Sequence, residues 1–131
     1  MKILHPPTWP RPKGYSNGIS VGAGRMIFTA GVIGWNEQEI VTSHLFEVQF
    51  GQALRNIAAI LAEDGAEPRH IVRLTIYVTD RDQYRVRRDE LAAVWKSVMG
   101  DHYPAVALVE VKGLVNSSAV VEIEATAVVE D

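Results

Sequence analysis

The chain has 131 residues, of which 47% are hydrophobic and 22% are charged, and its formal net charge is −3. This composition is typical of a soluble globular protein, and the lack of a basic stripe argues against nucleic acid as a partner. Because there are no cysteines, disulfides, thiolate metal sites and a cysteine nucleophile are excluded. No apolar run approaches the roughly 20 residues of a transmembrane helix, and the N-terminus lacks the apolar stretch of a secretory signal. We therefore expect one cytoplasmic domain over residues 1–131 with no membrane partner.

The N-terminal third predicts an arm followed by strands. Four prolines fall between residues 5 and 14, and because proline lacks an N–H and fixes φ, residues 1–14 are expected to form an extended arm. The segments ISVGAG and RMIFTAGVIG, from Ile19 and Arg25, predict two strands around a turn at Gly22–Gly24. Gly31 and Gly34 at the end of the second strand indicate a bulge or a close backbone approach.

A first helix is predicted in the next segment, with Thr42 or Ser43 as its N-cap and Gly65 as its C-terminal stop. Its apolar stripe recurs at helical spacing through Phe46, Phe50, Leu54, Ile57 and Leu61.

The second half predicts strand, helix, strand and strand. IVRLTIYV, after Pro68, is β-branched and apolar, which favours a buried strand. Asp80 and Gln83 resemble a capping box for a second helix that ends at Gly100. AVALVEV from Ala105 and VVEIEATAVV from Val120 predict two final strands. The stripe of the second helix is Tyr84, Leu91, Val94, Trp95 and Val98.

The order β-β-α-β-α-β-β predicts one mixed sheet with two helices on one face, a two-layer α+β sandwich. The other face then meets water or a partner. In the last strand Glu122 and Glu124 alternate with apolar residues, and in the strand before it Val106 and Leu108 share a face with Glu110. A face that mixes valine and leucine with carboxylates is typical of an oligomer interface with a pocket at its edge.

Several segments in this order resemble the Rid proteins, which are also labelled YjgF-type or L-PSP endoribonuclease-like: GYSNG, FTAGVIG, QALRNIAAILAEDGA, HIVRLTIYVTD, HYPAVALVEV and VEIEATAV. The resemblance spans about Gly14 to Val128. It implies a chorismate-mutase-like sandwich that forms homotrimers with three clefts between subunits. It also implies hydrolysis of enamines and imines, such as 2-aminoacrylate, to a carbonyl compound and ammonia, with no metal and no cofactor.

The resemblance also assigns roles to residues. Tyr15 matches the family's cleft tyrosine, Gly31 the glycine whose backbone lines the pocket, and Glu122 the carboxylate that positions water. Two positions depart: the cleft arginine of the P-A-R pattern is Val106, and the cleft asparagine aligns with Arg88. Leu108 replaces a frequent cysteine.

The missing arginine predicts a change of specificity. A charge-assisted hydrogen bond is worth about 1.5–3 kcal/mol, so turnover of 2-aminoacrylate should be weak or absent. Arg88 or Lys112 could hold an anion instead, or a larger apolar body could bind beside Trp35 and His102. The alternatives are a non-catalytic trimer that binds small metabolites and, with less support, a ribonuclease or translation inhibitor. His5, His44 and His70 lack metal-ligand spacing, and Gly31 and Gly34 do not form a phosphate loop.

Overall fold

The computed structural model describes residues 1–131 as a layer of helices packed on one face of a five-stranded sheet. The elements are β1 (Lys2–Leu4), β2 (Gly18–Ser20), β3 (Gly24–Phe28), β4 (Val32–Ile33), α1 (Phe46–Ala62), a 3-10 turn (Pro68–His70), β5 (Ile71–Val78), α2 (Arg81–Val86), α3 (Arg88–Met99), β6 (Ala105–Glu110) and β7 (Val121–Glu130). The main sheet runs β3-β7-β5-β6, with β4 also paired to β7. Only β5 and β6 are parallel, so the sheet is mixed. The predicted two-layer α+β architecture is confirmed.

The N-terminus contains a strand that the sequence did not predict. β1 pairs antiparallel with β2 in a separate two-stranded sheet, so residues 2–4 are anchored rather than part of a simple arm. The N-terminal ammonium contacts Glu130 Oε1, and the Gly22 N–H donates to Glu130 Oε2 at 3.0 Å. The hydrogen bond from the ammonium has the larger effect and that from Gly22 the smaller, and both lower the pKa of the Glu130 carboxyl. The start of the chain is thereby fastened to the end of β7.

The predicted strand RMIFTAGVIG is two strands, β3 and β4, both paired with β7. Phe28 pairs with Thr126 and Val32 pairs with Ile123, so four residue steps on one strand face three on the other. The extra residue makes a bulge. Thr29 bridges it, because its N–H donates to the Ala125 carbonyl at 2.9 Å and its hydroxyl accepts the Ala125 N–H at 3.0 Å.

Helix α1 begins at Phe46, and the predicted cap at Thr42 or Ser43 is wrong. Leu45 is the N-cap residue and offers no side-chain bond, while the Ser43 hydroxyl accepts only the Leu45 N–H, at 3.1 Å. The predicted apolar stripe is confirmed, since all five of its residues are buried. Gly65 follows the helix with φ +70, a left-handed conformation that suits glycine.

The predicted second helix is wrong in one respect, because it is two helices, α2 and α3, divided at Arg87. Arg87 has φ −113 and ψ 24, outside the helical region, and its carbonyl accepts the Leu91 N–H at 2.9 Å. Its guanidinium reaches Gln83 of α2 at 3.1 Å and Glu47 of α1 at 3.4 Å. These contacts keep the segment between α2 and α3 packed against α1. Asp80 caps α2 as predicted, accepting the Asp82 N–H at 2.9 Å.

The core lies between the helices and one face of the sheet. Val121, Ile123, Ala125 and Ala127 of β7 are buried there, as their alternation predicts. Val106 and Leu108 pair with Leu74 and Ile76 of β5 and pack against the same core. Val106 and Leu108 were predicted to lie on the face turned away from the helices, and this prediction is wrong.

We call the opposite side of the sheet the open face; its residues are half-buried or exposed and include Thr75, Tyr77, Ala107, Val109, Glu122, Glu124 and Thr126. None of the helices combines the length and apolar character that crossing a bilayer requires.

Candidate functional site

A cavity of about 720 Å³ opens at the edge of the sheet where β4 ends. It includes Glu122 and Gly31 from the two paired strands and Trp35 from the loop after β4; we call it the Glu122 cavity. Asn56 and Ile60 of α1 form one wall, and residues 115–116 of the loop before β7 contribute to the lining. Three of the residues singled out from the sequence therefore lie together.

Glu122 and Gly31 touch because of the bulge between β3 and β4. Glu122 pairs with Ile33 and projects to the open face. A methyl group added at Gly31 would lie 2.8 Å from the Glu122 carboxyl carbon, so only glycine leaves this carboxylate in place. The Glu122 oxygens are free of hydrogen bonds and ion pairs to the rest of the chain, in contrast to those of Glu124. They are available to a ligand.

Glu124, two residues along the same face, has a partner within the chain. The Tyr77 hydroxyl donates to Glu124 Oε1 at 2.7 Å. This hydrogen bond, followed by burial and by the charges of Glu124 and Glu122, raises the pKa of Tyr77 above its usual value. Glu122 and Glu124 are therefore not equivalent, because only Glu122 has both oxygens without a partner in the chain.

Asn56 shapes the cavity, although its role was not predicted from the sequence. Its side-chain amide donates to the carbonyls of Ile33 at 3.0 Å and Trp35 at 2.9 Å. Gln52, one turn earlier, donates to the Asn56 oxygen at 2.8 Å and orients the amide. Asn56 thus fixes the backbone that carries Trp35 into the cavity. A polar residue amid the apolar run of α1 is the only sequence signal for it.

Tyr15 lies elsewhere on the molecule. It is 43% exposed and lines a shallow groove of about 210 Å³ with Arg73, Ala105 and Ala107. The next residue, Ser16, holds the segment against the start of β6 through its N–H, which donates to the Pro104 carbonyl at 3.0 Å. The groove includes Arg73 of β5, whereas Glu122 pairs with Tyr77 further along the same strand. Four residues of strand, about 13 Å, separate the two levels.

Val106 and Arg88 share a third cavity, of about 300 Å³, on the helix side of β6. Buried Leu91 and Trp95 of α3 lie in its lining. The Arg88 guanidinium lies 6.0 Å from the centre of the Tyr84 ring. We call this space the Val106 cavity. It does not include Glu122 or Gly31.

His102 is the predicted ligand-binding residue that the structure brings into none of these three spaces. Its Nε2 is 2.6 Å from the Ile71 carbonyl oxygen, and its own carbonyl accepts the Trp95 indole N–H at 3.1 Å. These contacts tie the end of α3 to the start of β5.

The arrangement around Glu122 can place a water molecule or a small polar group against an uncompensated carboxylate beside an exposed glycine backbone. Groups of three or more His, Asp or Glu side chains suited to hold a metal ion do not occur in the structure. The site therefore offers carboxylate and backbone chemistry.

Known proteins share both this sequence and this fold. The family model described as Endoribonuclease L-PSP matches residues 9–129. A RutC family protein of Aquifex aeolicus is 34% identical over 129 residues, covering 98% of this chain and 99% of its own. Protein DfrA of Myxococcus xanthus is 33% identical over 134 residues, covering 97% and 95%.

Solved structures agree with the sequence matches. YyfB, a Rid-family protein of Yersinia pestis, superposes with a TM-score of 0.86 at 26% identity, covering 98% of both chains. RidA from an Antarctic Psychrobacter has a TM-score of 0.69 at 25% identity, covering 98% of this chain and 100% of its own. The fold is thus the chorismate-mutase-like α+β sandwich. The chain belongs to the Rid family, also called the YjgF or L-PSP endoribonuclease family.

Proposed function

We propose that this protein hydrolyses a reactive enamine or imine to a carbonyl compound and ammonia, in the cytoplasm and without a cofactor. One observation carries the proposal: the Glu122 carboxylate lies against Gly31 in a cavity of about 720 Å³ and has no partner in its own chain. A general base must come within hydrogen-bond reach of the water whose proton it takes, and both oxygens of Glu122 are available for this. The resemblance assigns Glu122 this same task.

The chemistry needs little beyond one carboxylate and good positioning. An enamine first tautomerises to its imine. Water then adds to the C=N carbon while its proton passes through Glu122 to the nitrogen. In the amino alcohol that results, the hydroxyl proton passes to the nitrogen, the C–N bond breaks to release ammonia, and the carbonyl forms. Holding water and imine in contact supplies much of the acceleration.

We also propose that the protein is a homotrimer whose sites lie between subunits. Tyr15 and Glu122 lie in separate spaces on one protomer, at levels about 13 Å apart along the strands, so a site that uses both requires a neighbouring copy. The open face supports such an assembly, because Met26, Phe28 and Val109 are 56%, 67% and 43% exposed there. Apolar side chains on a sheet face are typical of an interface.

Specificity is expected to differ from that for 2-aminoacrylate. Val106 carries no charge and faces the helices, so it cannot grip a carboxylate as an arginine does. Trp35 in the lining of the Glu122 cavity favours a substrate with a larger apolar body. Arg88, His102 and Tyr15 remain predicted contributors.

The decisive experiment generates imines in place. An L-amino acid oxidase acts on a panel of aliphatic and aromatic amino acids, and the decay of each imine is followed with and without this protein. We expect faster decay for at least one bulky imine, and Glu122→Gln should lower kcat about 100-fold or more, as loss of a general base does.

The matched control is Glu124→Gln, on the same strand and the same face. It should retain the activity, because Glu124 is engaged by Tyr77. If no imine decays faster than in buffer, the hydrolase proposal fails and the non-catalytic metabolite-binding trimer takes its place. Sedimentation equilibrium tests the assembly separately, with three times 14.5 kDa as the expected mass.

A further inference from the structure

We propose that Asn17 is a self-modifying site, at which the backbone nitrogen of Gly18 displaces the side-chain amide and converts Asn17 to aspartate or isoaspartate. The proposal does not depend on the hydrolysis proposed above, because Asn17 lies outside the lining of the Glu122 cavity. It rests on three features of this segment: the glycine that follows, the exposure of the amide, and the histidine beside it.

Gly18 supplies an unhindered nucleophile. It is the first residue of β2, and a methyl group added here would lie 3.5 Å from Leu4 Cβ, which is an ordinary contact. Its φ is outside the left-handed region. Neither packing nor backbone conformation therefore requires glycine at this position. What the missing side chain provides is free approach of the Gly18 nitrogen to the side-chain carbonyl carbon of Asn17.

The surrounding backbone can open to allow this approach. Asn17 is exposed, and β1 and β2 have three residues each and pair only with each other. A two-stranded sheet of this kind is marginally stable on its own, so local opening releases Gly18 from its pairing with Leu4. The same exposure admits the water that completes the reaction.

His5 lies against the leaving group. The Asn17 side-chain N–H donates to His5 Nδ1 at 3.3 Å, and His5 Nε2 donates to the Trp9 carbonyl at 3.1 Å. The ring is thus held with Nδ1 towards the nitrogen that departs. An imidazole in this position can pass a proton to that nitrogen as its bond to carbon breaks.

The atoms balance with water as the only co-reactant. The Gly18 nitrogen forms a bond to Asn17 Cγ and loses its proton to solvent. The bond from Cγ to Nδ2 breaks, His5 supplies a proton that solvent restores, and ammonia departs to leave a cyclic succinimide. Water then cuts the bond from the ring nitrogen to Cγ, which gives aspartate, or the bond to the Asn17 backbone carbonyl, which gives isoaspartate.

The other asparagines have their amides engaged by the backbone. The side-chain oxygen of Asn36 accepts two backbone N–H groups, at 2.9 and 3.1 Å, and that of Asn116 accepts one, at 2.9 Å. Asn56 donates to two backbone carbonyls. Each of the three also precedes a residue with a side chain. Asn17 is therefore the amide that is free to react.

The modification strains a segment that is anchored on both sides. The Ser16 N–H donates to the Pro104 carbonyl at 3.0 Å. On the other side, Gly18 pairs with Leu4. Isoaspartate adds a backbone carbon between these anchors, and either product adds a negative charge to a chain whose net charge is already −3. The N-terminal segment should therefore loosen from β6 as the protein ages.

The test is incubation of the folded, full-length protein at neutral pH, followed by peptide mass spectrometry. We expect the peptide that contains Asn17 to gain about 1 Da with time, as an amide becomes a carboxyl group, and to become a substrate for an isoaspartyl methyltransferase. The peptide that contains Asn116 should stay unchanged over the same period.

Three variants separate the structural argument from the sequence motif. Gly18→Ala should slow the gain of mass several-fold and still fold, because its methyl has room; circular dichroism checks the fold. His5→Gln should also slow it several-fold. Ser117→Gly creates a second Asn–Gly pair where the amide of Asn116 is engaged, and that pair should react several-fold more slowly than Asn17.

A rate unchanged by Gly18→Ala or by His5→Gln, equal rates at the two Asn–Gly pairs of Ser117→Gly, or no gain of mass at Asn17 would each overturn the proposal. Glu122→Gln should modify Asn17 at the wild-type rate while it loses the hydrolysis. Failure of this proposal is thereby distinguished from failure of the hydrolytic one.

Discussion

Replacing Gln49 by alanine should lower the free energy of unfolding substantially, because this one buried side chain makes three hydrogen bonds. Gln49 is 1% exposed and lies on α1. Its amide nitrogen donates to the carbonyls of Ser43 at 2.8 Å and Ser118 at 2.9 Å, and its oxygen accepts the Val120 N–H at 2.8 Å. One side chain thus joins the helix to the loops before α1 and before β7.

The magnitude follows from these three bonds. Each hydrogen bond contributes about 1 kcal/mol net, and truncation leaves one backbone donor and two acceptors with no partner, so the free energy of unfolding should fall by about 3 kcal/mol. With a urea m-value of about 2 kcal/mol/M, the unfolding midpoint should drop by about 1.5 M at an unchanged m-value.

The assay is urea unfolding followed by circular dichroism, at one fixed protein concentration because subunit association would shift the midpoint. Gln52→Ala is the matched control on the same helix, since its amide donates to one side chain, Asn56, and not to the loops. It should cost about 1 kcal/mol or less. A loss below about 1 kcal/mol for Gln49→Ala would refute the assignment of Gln49 as the joint between these loops.

Three further predictions concern the sheet and the N-terminus. Gly31→Ala should lower kcat, because the added methyl overlaps the Glu122 carboxyl and displaces it, and combining it with Glu122→Gln should lower kcat no further than Glu122→Gln alone; additive losses would contradict this. Tyr77 should be the last tyrosine to ionise in an ultraviolet titration, and Glu124→Gln should return its pKa towards the usual value near 10, since the carboxylate holds the phenol proton. The stability linked to that raised pKa is present below about pH 10 and is lost as pH rises through the folded-state value. The lowered pKa of Glu130 acts with the opposite sign: its stabilisation is present above about pH 4.3, the unfolded value, and is lost as pH falls through the folded value. Glu130→Gln should therefore flatten the dependence of the urea midpoint on pH in the acid range, and an unchanged slope would show that the carboxylate carries no such linkage.

The sequence predicted those strands and helices whose buried residues follow a regular alternation or helical spacing. IVRLTIYV coincides with β5, residues 71–78, because β-branched residues pack well on a pleated sheet and five of these eight residues are β-branched. The alternation of Glu122 and Glu124 with buried residues fixed which side of β7 faces outward. In these segments the side-chain pattern and the tertiary environment agree.

Elements that depend on distant contacts were not predictable in this way. The side of the sheet on which Val106 lies depends on its parallel pairing with Leu74. The segment AVALV is apolar at every position, so its pattern does not predict which residues face the helices. The break at Arg87 has no proline or glycine to mark it; it depends on a side chain reaching Glu47 of another helix. β1 depends on its pairing with β2, across a proline-rich segment.

The residues of the candidate site also include some that were predicted from the sequence and some that were not. Glu122 and Gly31 came from the resemblance to the Rid family, and the structure brings both into one cavity with Trp35. Asn56 was missed because its partners are backbone carbonyls, of Ile33 and Trp35, and backbone groups leave no trace in a sequence.

The short bridge between Ser16 and Ala105 has a consequence for solubility. β6 is the outermost strand of the main sheet on its side, and strands in that position can recruit further chains into aggregates. The segment around Ser16 pairs with Ala105, the first residue of β6, and so covers the start of that free edge. Removing residues 1–17 should therefore expose the start of this edge and increase precipitation through strand addition.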